Sequence, residues 1–425
     1  MEQYDIMVVG AGSAGLCAAL QASYVLGGQR VCLVEKNGMC GGTTTVGGVN
    51  FPGIFHVWGR QVIAGIGWEL VEQTRRESGK PLPDYLCEYP MAHRHPEYQI
   101  SIDAVVFACL ADERLKAAET VVKFHTMIGA VRECGDGHLV TLCGKDGLYN
   151  VAAKVLIDCT GDANLSKLAG AKLNVMDECQ PGTFSCYAMG YDYESLDMEE
   201  LQKNFEKAVE AGEVTYDDLG WNRAFTPAFL KKHGHNSNHI TGINAADSAG
   251  RTRMEMAGRA SLMRLFRFLK KQKGFENLEF KLAASECGVR ESRTVQGLQT
   301  ITVDDYVDGR VFDNAVCYSY YPVDLHDAKQ GLVNRKIQPG HVPTVPLGAL
   351  IPKGLSNFMV AGRILSSDRL ANSALRIQAT CMATGQAAGA AAALAIQHHC
   401  EPADVDLDEL RRILQENHAI VPPRE

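Results

Sequence analysis

The sequence predicts an α/β protein in which a Rossmann-like dinucleotide-binding domain is interrupted by an inserted α+β domain. Three observations carry this. Asp5–Val9 is a short apolar run followed at once by Gly10-Ala11-Gly12-Ser13-Ala14-Gly15, an Ala/Leu-rich stretch to about Leu26, and a second apolar run, Val31–Val34, ending on Glu35. That is strand, glycine turn, helix and strand, with an acid 20 residues beyond Gly15. A strand-like run closing on a turn recurs at Asn357–Arg363, before a long Ala-rich helical stretch from Ile377 to His398. Between them, from about Lys172, charged helical pieces (Glu194–Gly212, Ala257–Lys273) alternate with strand-like runs, as in an insertion. The expected division is a discontinuous dinucleotide-binding domain over 1–170 and 346–400, a substrate domain over 171–345, and a helical tail over 401–425.

Within the first domain, Gly27-Gly28 stops the first helix. A helical pattern over Asp103–Glu119 leads into a strand at Val121–Thr126. Short strands with glycine turns fill Gly137–Val151, and the chain then runs through Val155-Leu156-Ile157-Asp158-Cys159-Thr160-Gly161-Asp162.

At 425 residues and 46.2 kDa the chain is long enough for two to three domains. A net charge of −8 and a pI near 5.9 argue against a surface built to grip nucleic acid or an anionic membrane. None of the 14 cysteines stands in a C-x-x-C pair, which excludes zinc ribbons, ferredoxin-type clusters and thioredoxin-type redox pairs. The N-terminal MEQYD lacks the basic and apolar regions of a signal peptide, and the apolar stretch Ala387–Ile396 is shorter than the roughly 20 residues that span a bilayer. These readings lead to a cytoplasmic protein with no nucleic-acid and no membrane partner.

In the glycine turn, Gly10 permits the sharp bend, Gly12 lets a pyrophosphate approach the backbone, and Gly15 packs helix on strand, while Glu35 is placed to accept ribose hydroxyls. A further glycine pair, Gly41-Gly42, follows and opens into Thr43-Thr44-Thr45-Val46-Gly47-Gly48. In this the sequence resembles FAD enzymes of the glutathione-reductase-like (GR2) type. It does so again at Asp158–Asp162 and at Val360-Ala361-Gly362-Arg363 with the later Gly385-Gln386-Ala387-Ala388-Gly389. The likeness narrows at Gly288-Val289-Arg290-Glu291-Ser292-Arg293, at Tyr321–Asp327 and at Ile351–Gly354 to the FAD-dependent oxidoreductase family. It implies FAD as cofactor. By the resemblance, the cofactor would meet Gly10, Ala11, Gly12, Ala14, Gly15, Glu35, Lys36, Thr43 and Ile128, with the AMP moiety at Gly10–Gly15 and Glu35, and Gly41 and Gly42 beside the pyrophosphate and ribityl chain. Cys159, Thr160, Gly161, Asp162, Gly362, Arg363, Ile377 and Gln378 would complete the cofactor contacts, with the Arg376–Thr380 stretch beside the isoalloxazine. With a single dinucleotide fingerprint there is no dedicated NAD(P)H domain, so electrons pass through a small-molecule substrate or a separate donor or acceptor. Homo-oligomerisation is left open.

For chemistry, His326 is the acid/base candidate, because strand alternation would put Asp324 on the same side to orient its ring. Arg290 and Arg293 read either as a guanidinium fork for a substrate anion or as an internal ion-pair network around Glu291. Arg376 joins the catalytic set as the residue ahead of the flavin-side helix. The spacing of His233, His235 and His239 resembles a metal site, but no carboxylate closes it and a solvated loop is the reading, with no metal assigned. His239 and Asn244 are the further residues placed within reach of the substrate. The function expected is hydride transfer between flavin and a small polar or anionic organic substrate. The alternative is a non-catalytic or regulatory flavin-binding protein.

Overall fold

The computed structural model describes residues 1–83, 99–176, 179–221, 224–235, 238–327 and 331–423. Strand β1 (Glu2–Val9), helix α1 (Ser13–Leu26) and strand β2 (Val31–Val34) form the opening unit. The inner half of β1 and all of β2 are buried, as expected of central parallel strands covered on both faces. Helix α2 (Ala104–Ala117) returns to strand β3 (Val121–Lys123), and β4 (Met127–Cys134), β5 (Gly137–Gly144) and β6 (Gly147–Asp158) form an antiparallel meander. Next come β7 (Cys186–Met189), α3 (Met198–Glu210), β8 (Gly234–His235), α4 (Ser248–Leu269) and β9 (Glu279–Leu282). After them lie the hairpin β10 (Val323–Asp327) and β11 (Gly331–Arg335), strand β12 (Phe358–Val360), and helices α5 (Arg369–Leu375), α6 (Gln378–His398) and α7 (Leu407–Glu416).

The main sheet has seven strands in the order β3-β2-β1-β6-β5-β4, with β12 added to the C-terminal half of β6. The β3-β2-β1-β6-β12 part is parallel, and β6 changes partner midway: residues up to Ala153 pair antiparallel with β5, and Leu156–Asp158 pair parallel with β12. Strand β12 thus returns the chain to the sheet after the long excursion, as the Asn357–Arg363 signal predicts.

Helix α6 is the core helix. By length and composition alone it is long and apolar enough to cross a membrane, and it is longer than the apolar stretch read from sequence. Yet 94% of its most apolar window is buried inside the protein. It crosses α1 at small residues: a Cβ on Gly385 would overlap the Ala14 carbonyl, and one on Gly389 the Ala18 carbonyl. The segment Gly385–Gly389, matched above to a flavin-contacting stretch, is here a helix-crossing point.

The span 171–345 contributes to two cores. Cys186, Phe205, Phe229, Phe268 and Phe275 form an apolar cluster of their own beneath the antiparallel sheet β8-β7-β9. Ile301, Tyr306, Val316, Val323 and Val345 instead join the large core that holds α1 and α6.

Side-chain caps open five of these helices. Helices α2, α3, α4, α5 and α7 each open on an aspartate (Asp103, Asp197, Asp247, Asp368, Asp406) whose carboxylate accepts a first-turn amide. Helices α1 and α6 open on Gly12 and Ile377 with no side-chain cap. These two N-termini meet at the candidate site.

Candidate active site

Strand β1 feeds the chain into Gly10, whose φ of +95° suits glycine; a Cβ there would stand 2.5 Å from the Cys159 carbonyl oxygen. Gly41 donates its amide to Ala11 O at 2.8 Å, and Gly12 and Gly41 form an isolated parallel bridge, so the two glycine segments run side by side. A Cβ on Gly42 would come within 2.9 Å of Gly12 Cα. Gly12 itself has no heavy atom within 4 Å of its Cβ position. The backbone is therefore crowded around Gly10, Gly15 and Gly42 and open at Gly12, a cradle that fits a group approaching the chain closely. The amides at the α1 N-terminus suit an anionic group there.

Helix α6 starts beside it. Gly362, at φ +82°, lies between Ala14 of α1 and Cys381 of α6. The Gln378 amide donates from Nε2 to Val49 O at 2.7 Å, and its Oε1 accepts from Thr44 Oγ1, tying the α6 start to the second glycine loop. Ala379 N donates to Pro52 O at 2.7 Å.

Glu35 is buried, with Oε2 accepting Ala11 N–H (2.7 Å) and Oε1 accepting Asn37 N–H (2.8 Å). A carboxylate with about four acceptor positions retains capacity for ribose hydroxyls. Each charge-assisted hydrogen bond is worth about 1.5–3 kcal/mol, so Glu35→Ala is expected to lower flavin affinity at least tenfold. Titration of the stripped protein with FAD checks this, and undiminished affinity would contradict the assignment.

The other nucleotide-side residues are placed as follows. Lys36 pairs with Glu286, which also binds Arg251 at 2.8 Å, so it bridges to the later chain. Ile128 packs against the core on the other face of the sheet, and Thr43 O accepts Val49 N. Asp158 is fully buried and receives Thr160 and Ser166, closing the turn that presents Cys159, Thr160 and Gly161. Arg363 binds Gly161 O and Asp162, and Asp162 also receives Ser292 Oγ at 2.7 Å. Burial works to raise the Asp162 pKa, and Arg363 with Ser292 outweigh it. Cys40 is fully buried and its thiol is pushed up by that burial.

A second cluster lies across the start of α6. Asp324 and His326 share one side of β10, with His326 Nε2 3.3 Å from Asp324 Oδ2. Arg376, between α5 and α6, places Nη2 3.3 Å from Asp324 O, 4.0 Å from Asp324 Oδ2 and 3.4 Å from Gln180 Oε1. The same Gln180 oxygen accepts His326 N–H at 3.2 Å. Arg290 donates through Nη1 to Pro181 O (2.6 Å) and Thr183 Oγ1 (2.9 Å). The His239 ring lies 5.5 Å from that of His326, tilted by 32°.

Among the described residues, cationic groups outnumber anionic ones in this cluster. Burial lowers the Arg290 pKa to about 10, with Arg376 adding to the shift, and burial lowers Arg376 as well. Burial would raise Asp324, but His326, Arg376 and Arg290 hold it below the usual carboxylate range. His326 is drawn below the ordinary imidazole value by burial; Asp324 opposes this, and Arg290 and Arg376 reinforce it. Burial and Arg290 bring His239 down to about 2. Tyr321, pushed up to about 12 mainly by burial, stays protonated, with Gln99 Nε2 donating to its hydroxyl at 3.0 Å. Among the described residues, Arg290 and Arg376 bring two guanidinium ions to this cluster, Asp324 one carboxylate, and His239 and His326 two neutral imidazoles. Two of its donors, Arg376 Nε and Gln180 Nε2, are buried without an acceptor among the described residues.

Arg290 and Arg293 do not form a fork. Arg293 enters the strand Arg293–Val295, which pairs with Leu173–Val175, and its Nη1 lies 3.5 Å from Asp162 O. Nor do they enclose Glu291, which binds Arg369 through both oxygens (2.8 and 3.1 Å) and receives Gln180 N. Asn244 is engaged with Met176 O and Ala246 N inside the inserted region. His233 stacks on Tyr191, His235 meets Tyr187 edge-on, and His239 faces His326, so the three histidines have separate neighbours. Sequence reasoning did not find Gln180, which carries no motif and is recognised only by the two hydrogen bonds that converge on its oxygen.

The glycine-lined turn at the α1 N-terminus thus lies beside the start of α6, next to the cluster of Arg376, Asp324 and Gln180. The chain belongs to the FAD dependent oxidoreductase family, whose model matches residues 5–414. Its cofactor is accordingly FAD and the protein is an oxidoreductase. No curated protein sequence matches it. Among solved structures it is similar to a geranylgeranyl bacteriochlorophyll reductase-like protein from Thermoplasma acidophilum (11% identity, 98% of this chain and 83% of that one, TM-score 0.43). It is also similar to a flavoprotein/dehydrogenase from Cytophaga hutchinsonii (12% identity, 97% and 83%, TM-score 0.39). A shorter match is to an anhydrotetracycline hydroxylase from Streptomyces rimosus (20% identity, 43% and 38%, TM-score 0.29), so the match takes in well under half of that hydroxylase.

Proposed function

We propose that the protein, on a GR2-type FAD domain, transfers a hydride between flavin and a small organic substrate carrying a carboxylate or a similar anion. Arg376, Gln180 and Arg290 would receive the anion, and His326 would handle the proton. One observation carries this: buried Arg376 Nε and Gln180 Nε2 have no acceptor among the described residues and lie in a cluster with surplus positive charge. A buried donor left without a partner costs about 1–3 kcal/mol, and an anionic ligand would relieve both this and the Arg290–Arg376 repulsion.

The residues divide the work. When bound, FAD supplies hydride acceptance or donation. The guanidinium of Arg376, gripped by Asp324 O and Gln180, orients the substrate anion. Asp324 accepts from His326 Nε2, which leaves the neutral ring with its lone pair on Nδ1, the atom that takes or returns the substrate proton. A separate electron donor or acceptor would restore the flavin.

The test is anaerobic mixing of the FAD-loaded protein with a panel of small hydroxy, amino and α,β-unsaturated acids, beside their neutral amides. Change in the flavin's visible absorption with acids but not amides is expected; equal response to both would remove the anion from the reading. Arg290→Lys should keep FAD yet weaken binding of a responding acid about 10–150-fold, the equivalent of one charged hydrogen bond. An ammonium cannot hold Pro181 O and Thr183 and still present a planar donor pair. An unchanged KM would show that Arg290 is scaffold.

A further inference from the structure

We propose that His239 is a positioning residue for His326: delivered by the inserted region, its ring covers one face of the His326 imidazole and keeps that ring dry and in the orientation Asp324 selects. This rests on the reading of His326 as the proton-handling group.

The first support is geometric. The centroids of the two rings lie 5.5 Å apart with their planes tilted by 32°, within the range of a direct ring–ring contact. The second is how firmly the backbone at His239 is held. Ile240 bridges Gly182 with both hydrogen bonds (2.8 and 3.0 Å), and its side chain is buried in the cluster with Phe184, Met254 and Val289. On the other side Asn238 is fully buried, its Oδ1 accepting Phe184 N at 3.1 Å and its carbonyl accepting Thr183 Oγ1 at 3.0 Å. That Thr183 hydroxyl also accepts from Arg290. One hydroxyl therefore links the peptide before His239 to the proposed anion-binding arginine.

The third support is electrostatic. Among the described residues, the charged and titratable groups facing His326 are Asp324 on its own strand, Arg290 from the Gly288–Arg293 segment, Arg376 from the α5–α6 junction, and His239. Tyr321 lies beside Asp324 and both arginines, and remains protonated. With burial and Arg290 bringing its pKa down to about 2, His239 is neutral near neutral pH. A ring that is neutral at that pH contacts His326 without competing for its proton. Loss of the His239 ring would bring water closer to the His326 imidazole, and hydration favours the charged form.

The experiment is a histidine titration by NMR on the FAD-loaded protein without substrate, comparing wild type, His239→Ala and His239→Phe, each first shown to retain its flavin. In His239→Ala the His326 midpoint is expected to rise by about one pH unit, a tenfold change in its protonation equilibrium. In His239→Phe, which keeps a flat ring without titrating nitrogens, it should return close to the wild-type value. An unmoved midpoint in His239→Ala would overturn the proposal, and so would a Phe variant that shifts as far as the Ala one. Because the readout is a titration and not turnover, it remains decisive if His326→Gln proves fully active and the catalytic reading of His326 falls.

Discussion

Gly385→Ala is expected to give a protein that has lost most of its flavin and much of its stability, although alanine is the better helix former. In an exposed helix the change would add up to about 1 kcal/mol of stability. Here a single methyl at position 385 would overlap the Ala14 carbonyl, and Gly389 makes the same close approach to Ala18 one turn further along. The obstacle is backbone, not the end of a flexible side chain, so α1 and α6 must separate. Both are buried along most of their length, which leaves little room for adjustment. The expected net loss is about 2–4 kcal/mol, in the range where core overpacking outweighs propensity. Separation would also carry Gly12 and Ala14 away from Gly362 and the α6 N-terminus, opening the FAD cradle. The flavin-to-protein ratio and the thermal midpoint of the purified variant measure both effects. A yellow protein with an unchanged midpoint would show that the crossing tolerates a side chain.

The parts of the fold visible in the sequence are those fixed by local constraint. Gly10 to Gly15 with Glu35 announce the nucleotide turn because crowding at Gly10 and Gly15 and the opening at Gly12 all depend on the absence of side chains. Asp324 and His326 could be paired because a strand repeats every two residues, and β10 does place them together. Arg290 and Arg293 could not be separated in the same way. Their spacing suggests one face, but the chain turns into the Arg293–Val295 strand between them, and Glu291 finds Arg369, 78 positions away. His239 sits among glycine and asparagine, which read as solvated loop. Its place against His326 comes from the Gly182–Ile240 bridge, a contact with no local signature. Gly385 and Gly389 carried a usable signal: small residues four apart on a long apolar helix mark a close helix crossing as readily as a flavin contact.

His326→Gln is expected to keep FAD and substrate affinity while slowing flavin reduction or reoxidation by about 10²–10⁴-fold, the usual contribution of a positioned acid/base. The glutamine retains a donor toward Asp324 but offers no group that ionises near neutrality. The wild-type pH profile follows from the direction of the His326 shift. Burial, reinforced by Arg290 and Arg376 and opposed by Asp324, holds its pKa below the ordinary imidazole value, so the ring is neutral at pH 7. If the neutral ring accepts the substrate proton, the rate should be level from neutral pH upward. It should fall only as pH drops below about 6.5, where an unperturbed imidazole would already be half protonated. Were His326 required as an acid instead, the rate would decline through the same low window as pH rises, leaving little activity at pH 7. The Gln variant should lose this acidic limb altogether. Substrate anion bound to Arg376 and Gln180 would stabilise the imidazolium, so the limb for kcat should lie at higher pH than that for kcat/KM. Stopped-flow measurement of flavin absorbance across pH, in wild type and His326→Gln, reads rate and limb together. A variant that retains both the wild-type rate and the acidic limb would move proton handling off His326 and leave the Asp324–His326 pair as a support for Arg376.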